Sequence, residues 1–396
     1  MTSPERFHAF DALRAAMMAL GVVIHSATMY STIPDVWWIK DPATGRAIDC
    51  LILFLHAFRL PAFFVMAGFF AGLLVHSRGW QSAVENRMAR LGLPFLLGMI
   101  FLYPPLRLVN VYFHLQQRDA QGWSALLDWV ARGRLAETLE PGHFWFLETL
   151  LLVILMAAAC RRWITRLSGR WFLRLLGTRW GILPLAVCTA ATLMLSPFGV
   201  LDTPHGFSPH FHVVAAYAVF FAFGWGLWEH RTSLDHMRHY GLPEIAVALV
   251  LMLPGMDAIA AQLARPTTRL WLPFATTAVS TALIAWLMIY GLTGLFLRYC
   301  AEPSERWRYY SDAAYFVYLA HPLVLVAIQL PMMHMPWNEW IKFTACLVVS
   351  FPVLLWIYDR AVRSTWVGVV LNGKRLPRWI RPTPDPAPQP ASILPG

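Results

Sequence analysis

Three short stretches place chemically capable side chains among apolar neighbours. In Phe10–Tyr30, FDALRAAMMALGVVIHSATMY, Asp11 and Arg14 stand three residues apart and share a helix face. His25 follows eleven residues beyond Arg14, about 16 Å deeper and near that face. In LHAFRLPAFFVMAGFF, His56 and Arg59 are again three apart. In YFVYLAHP, Pro322 follows His321 and interrupts helical hydrogen bonding, as residues beside a cavity often do, and Tyr318 lies one turn earlier. A neutral imidazole takes a proton from a nucleophile near neutral pH. A guanidinium does not readily shed its proton, so a buried Arg59 needs an anion from the protein or from a substrate. Together these groups offer acid–base and anion-stabilising chemistry.

Plainer readings stand beside these. Asp11 and Arg14 can pair for topology while His25 bonds a neighbouring helix. Arg87 and Arg90, one turn apart in ENRMARLGLP, can grip phosphates with bidentate forks, yet spacing alone favours anchoring at a positively charged membrane face. In PGHFWFLE, His143 falls at the mouth of a span, Trp145 in the interfacial belt and Glu148 more than a turn deeper. Glu148 can serve as counter-ion to Arg59 or His25, or as half of a structural ion pair. Gly68 permits close helix approach, which is a packing role. His205, His210 and His212 resemble a metal cluster, but with no cysteine and no HExxH spacing no metal is expected there.

The elements that must position these groups are membrane spans. Of 396 residues, 58% are hydrophobic and only 14% charged, against about a quarter charged in soluble domains. With a mean hydropathy of +0.50, this is the composition of an integral membrane protein. The net charge of +10 does not point to nucleic acid: there is no zinc-finger spacing and no detached basic domain. Five single cysteines with no CxxC pair argue against a disulfide framework. Runs long enough to cross about 30 Å of hydrocarbon fall near 11–30, 50–76, 91–113, 143–160, 181–196, 210–228, 244–262, 271–297, 311–330 and 341–359. The expected fold is therefore all-α and polytopic, with about ten helices around a polar cavity. The first run lacks a basic signal-peptide n-region and is expected to remain as the first span.

With the N-terminus inside, the cytoplasmic segments collect 21 Lys and Arg residues against seven on the other side, which puts both termini in the cytoplasm. Residues 1–360 read as one transmembrane domain. Residues 361–396 read as a basic, then proline-rich cytoplasmic tail; Pro382, Pro384, Pro386, Pro388, Pro390 and Pro395 make its end extended or disordered.

In order and spacing, FDALRAAMMALGVVIHSATMYS, LHAFRLPAFFVMAGFF, NRMARLGLPF, HFWFL and YFVYLAHPL resemble the membrane acyltransferase-3 family over nearly all of residues 6–360. They are most similar to its branch that succinylates osmoregulated periplasmic glucans. The resemblance implies a ten-helix O-acyltransferase of the bacterial inner (cytoplasmic) membrane. Such an enzyme moves an acyl group from cytoplasmic acyl-CoA, succinyl-CoA or acetyl-CoA, to a hydroxyl of a periplasmic glucan or other polysaccharide.

The resemblance carries Arg14 and His25 onto the family's first-helix pair, Arg87 and Arg90 onto its RxxR, and His56 with Arg59 onto the HxxR of the glucan branch. His143 and His321 also fall on motif positions. On this reading His25, His56, Arg59 and His321 are catalytic, Arg14, Arg87 and Arg90 bind the carrier, and His143, Glu148 and Tyr318 face the substrate. Glu148 departs from the pattern, where an apolar residue stands. A proton-coupled transporter or flippase of a small anionic or glycan substrate would also need buried His and Arg, though not the cytoplasmic RxxR. A non-catalytic scaffold leaves Arg59 and His321 without a reason for burial.

Overall fold

In lipid, a backbone satisfies its own polar groups as helix or closed barrel, and apolar runs of this length take the first course. The computed structural model describes residues 7–33, 36–37, 39–119, 122–134, 140–162, 177–204, 206–265 and 270–379, and among these there is no strand. Arg6, Arg166, Arg170, Arg174, His205, Arg269, Arg381 and the prolines from 382 onward lie outside the described residues.

The helices are α1 (His8–Ala27), α2 (Arg46–Arg87), α3 (Leu93–Phe101), α4 (Tyr103–Asp119), α5 (Gly122–Ala131), α6 (Trp145–Ala159), α7 (Ile182–Leu193), α8 (Phe211–Glu229), α9 (Leu242–Leu263), α10 (Trp271–Tyr299), α11 (Glu305–Met332), α12 (Glu339–Ile357) and α13 (Trp366–Asn372). Eight helical stretches among the described residues are long and apolar enough to cross a membrane. Two expected spans differ. The third is divided into α3 and α4 at Leu102, because Pro104 and Pro105 supply no N–H to the preceding turn. The fifth is α7, twelve residues or about 18 Å, and it ends before the turn at Ser196–Gly199. Within α2, Gly79 takes φ 79°, a positive-φ conformation that glycine adopts without strain, and kinks the helix three residues past the expected end of the second span.

At the centre, α1 runs parallel to α11 and packs on α2, α10 and α12. Helices α2 and α8 approach each other backbone to backbone. A Cβ at Gly68 would meet the Phe221 carbonyl, and one at Gly224 would meet the Val65 carbonyl, so the two backbones touch. Helix α9 is peripheral: Val247, Val250 and Leu253 point outward as lipid-facing residues do.

On the side where α1 ends, the chain between α1 and α2 is held by a polar network. Asp49 accepts hydrogen bonds from Ser31 and from the Thr32 amide and hydroxyl. Asp41 forms a buried ion pair at 2.9 Å with Lys342, 301 residues away on α12.

At the opposite end, the start of α1, the start of α11 and the C-terminal segment meet. The expected domain boundary at 360 falls inside folded chain. After Tyr358–Val362, α13 and the strap Gly373–Trp379 turn back onto the bundle. Arg363 Nε donates to the Pro377 carbonyl at 2.7 Å, Asp359 Oδ1 accepts from the Trp379 amide at 2.7 Å, and the Trp379 ring packs on Tyr309.

Candidate active site

The parallel pairing of α1 and α11 has a direct consequence: residues eleven apart on α1 face residues ten apart on α11. Arg14 meets Ser311 at one end of the pair, and His25 meets His321 deeper in, ring centroids 4.9 Å apart. The adjoining face of α2 brings His56 and Arg59, and the 3-10 turn Gly142–Phe144 that leads into α6 brings His143. A cavity of about 320 Å³ results, lined by His25, His56, Arg59, His143, Tyr318 and His321 together with Trp37 and Trp145.

Local structure fixes how these imidazoles present themselves. Pro322 has no N–H to give to the carbonyl of Tyr318, four residues back. His321 Nδ1 fills that vacancy at 2.8 Å and also reaches the Val317 carbonyl at 3.0 Å. Because a carbonyl only accepts, Nδ1 carries the proton, and neutral His321 keeps a lone pair on Nε2, which is buried with no partner. The His-Pro dipeptide therefore sets the tautomer. By the same reasoning His56 donates from Nε2 to the Leu201 carbonyl at 2.7 Å, and His143 from Nε2 to the Leu319 carbonyl at 3.3 Å. His25 Nδ1 is buried without a partner.

Arg59 lies across Gly21 of α1; a Cβ there would stand 2.5 Å from its Nη1. Its side chain is 6% exposed, Nε has no hydrogen-bond partner, and no carboxylate pairs with it among the described residues. Its charge acts on the phenols of Tyr217 and Tyr318 and on the imidazoles of His25, His56 and His321. Such a cation, held ready and unpaired, stabilises an anion that arrives from outside the chain.

A second chamber of about 260 Å³ opens at the Arg14 end, lined by Arg14, Arg87, Arg90, Ser311, Tyr315 and Asn372, among others. Arg14 pairs with Asp11 at 3.2 Å, bonds Ser311 and lines this chamber. Arg87 Nε is buried and without a partner. Phe146 and Tyr318 line both chambers and form the wall between them. The Tyr318 hydroxyl donates to the His143 carbonyl at 2.7 Å, which ties α11 to the 3-10 turn before α6.

Nine of the ten residues singled out from sequence line one chamber or the other. Glu148 lines neither, and it pairs with neither Arg59 nor His25. On α6 the inward positions are Phe146, Leu147 and Leu150; Glu148 is half-buried and turned away from that face, since each residue advances about 100°. Among the described residues no group of three metal-ligating side chains occurs; His212 pairs with Asp202 at 2.9 Å. Sequence reading missed Ser311 and Tyr315, although with Tyr318 they follow a helical i, i+4, i+7 pattern that marks one face. It also missed Asn372, which no periodicity marks.

A bundle of apolar helices around two polar chambers, one rich in guanidinium and one in imidazole, defines a multi-pass membrane protein equipped for group transfer. A family model described as an acyltransferase domain, the acyltransferase-3 family, matches residues 7–359, and the chain belongs to that family. It is similar to glucans biosynthesis protein C of Salmonella schwarzengrund (strain CVM19633), 28% identical over 165 residues, which is 41% of this chain and 40% of the relative. The same protein of Salmonella typhi is 27% identical over 161 residues, 41% of this chain and 40% of the relative. The match thus spans about two-fifths of the curated relatives' length. No solved structure matches.

Proposed function

We propose that this membrane acyltransferase takes its acyl group from cytoplasmic acyl-CoA and delivers it to a hydroxyl of an extracytoplasmic polysaccharide. A periplasmic glucan is the favoured acceptor and succinyl the favoured group, and the bacterial inner membrane is the setting. The observation that carries the reading is the pair of chambers back to back. Arg14, Arg87 and Arg90 suit the phosphates of the carrier, and the chamber beyond Phe146 and Tyr318 holds unpartnered imidazole nitrogens beside an unpartnered guanidinium. The name of the relatives ties those proteins to glucan biosynthesis, and the sequence resembles the glucan-succinylating branch.

On this reading the thioester end reaches past the shared wall into the imidazole chamber. A sugar hydroxyl attacks the carbonyl carbon while His25 takes its proton; the C–S bond breaks, and the proton leaves with the thiol. His321, its tautomer held by the two carbonyls, lies against His25 and offers its Nε2 lone pair to a second hydroxyl of the acceptor sugar. Arg59 stabilises the developing oxyanion or receives the distal carboxylate of a succinyl group.

Purified protein incubated with acyl-CoA should release free thiol, faster with glucan present. Vesicle transport of a small anion with no thioester cleavage would instead identify a transporter. Arg59→Gln separates the two roles of Arg59: a larger loss with succinyl-CoA than with acetyl-CoA marks carboxylate recognition, whereas equal losses leave only the oxyanion role.

A further inference from the structure

Residues 360–379 lie beyond the stretch that the family model matches, yet they build one wall of the inner chamber. Leu371 and Asn372, at the end of α13, line it together with Tyr315. The segment is firmly fastened. Arg363, 7% exposed, lies among the rings of Tyr309, Tyr358 and Trp379, and the Leu376 amide returns to the Arg363 carbonyl at 3.0 Å. Gly373 follows Asn372 with φ 75°, and a Cβ there would collide with the Arg90 guanidinium, so the strap is shaped around a residue of the chamber.

Two polar atoms of this chamber have no use in the fold. Asn372 Nδ2 donates to the Tyr358 hydroxyl at 2.9 Å, which fixes the amide plane, but Asn372 Oδ1 has no protein partner among the described residues. The Tyr315 hydroxyl is buried, also without a partner. Guanidinium groups suit phosphates. A free amide oxygen and a free phenol suit a purine base, whose exocyclic amine donates and whose ring nitrogens accept.

Resting on the acyl-CoA reading above, we infer that the C-terminal strap supplies the base-recognising part of the donor site, with Asn372 Oδ1 accepting from the adenine amine and Tyr315 donating to a ring nitrogen. Asn372 is then a specificity residue that selects an adenine-bearing carrier over a bare phosphopantetheine thioester. It is contributed by a segment outside the matched domain.

The test compares succinyl-CoA with succinyl-phosphopantetheine, which lacks the nucleotide, on the purified full chain and on Asn372→Ala. Losing one hydrogen bond predicts a five- to tenfold rise in KM for succinyl-CoA, with kcat changed less than about twofold and a far smaller rise for the truncated donor. Tyr315→Phe, which keeps its ring, should show the same split. Binding is read separately by thermal shift. Adenosine 3′,5′-bisphosphate should stabilise the wild type more than guanosine 3′,5′-bisphosphate does, and that preference should vanish in Asn372→Ala. Equal KM rises for both donors, or no preference for adenine in the wild type, would overturn the assignment and leave the acyl-CoA reading intact. A wild type that cleaves neither succinyl-CoA nor acetyl-CoA would overturn both.

Discussion

Replacing Arg59 with leucine should make the protein slightly more stable and nearly inactive. The guanidinium is buried, its Nε has no partner, and no carboxylate offsets its charge among the described residues. An unsatisfied buried donor costs about 1–3 kcal/mol, and the apolar replacement removes that penalty without asking anything of the neighbours. Leucine also removes any need to hold a cation within the bilayer, worth about 2.5–3.5 kcal/mol on insertion scales. Part of this gain is lost to the space the shorter side chain leaves, so we expect a net gain of about 1–3 kcal/mol. For 396 residues the unfolding entropy is about 0.8 kcal/mol per kelvin, which turns the gain into a rise of about 1–4 °C in the melting temperature. Loss of an oxyanion-stabilising donor costs about 3–4 kcal/mol in the transition state, so acyl transfer should fall by about 10²–10³. Both are read on one preparation, by intrinsic-fluorescence melting and by thiol release from acyl-CoA. A melting temperature that falls by several degrees together with activity would show that Arg59 holds the bundle together, and the functional reading of its unpaired charge would be wrong.

His25→Ala should fold and insert normally but lose about 10²–10⁴ in transfer rate, the usual reach of a general base; transfer at the wild-type rate removes His25 from the mechanism. Gly21→Ala places a methyl 2.5 Å from Arg59 Nη1 and should displace the guanidinium, so activity falls while the melting temperature barely moves, and unchanged activity would contradict the placement of Arg59 over α1. Lys342→Met strands the buried Asp41 carboxylate and should cost about 3–5 kcal/mol, most of it recovered when Asp41→Leu is added; a harmless single substitution would mean the pair is not buried. Tyr318→Phe deletes the 2.7 Å bond to the His143 carbonyl and should cost about 1 kcal/mol, and its effect on transfer should exceed its effect on melting if Tyr318 shapes the wall between the chambers.

Much of the site was readable because charge inside a long apolar run is conspicuous. His25, His56, Arg59 and His321 stand out on composition alone, and the spacing of Arg14 and His25 predicted one stripe along α1, which the facing residues of α11 complete. Glu148 misled for the same reason: a carboxylate in a span invites pairing, but two positions along α6 turn it away from Phe146, and sequence does not fix a helix's rotation about its axis. The Asp41–Lys342 pair joins residues 301 apart, a distance no local pattern encodes. The strap was read as tail because its few apolar residues have no helical period; its place is set by Arg363 and the three rings around it.

Phe146 and Tyr318 have one further consequence. In any membrane that holds an ion gradient, a protein with a polar chamber toward each side risks becoming a leak. The two aromatic side chains shared by the chambers would interrupt any file of water along which protons hop. Smaller side chains at these two positions should therefore trouble the cell before they trouble the chemistry, as loss of membrane potential with transfer still measurable.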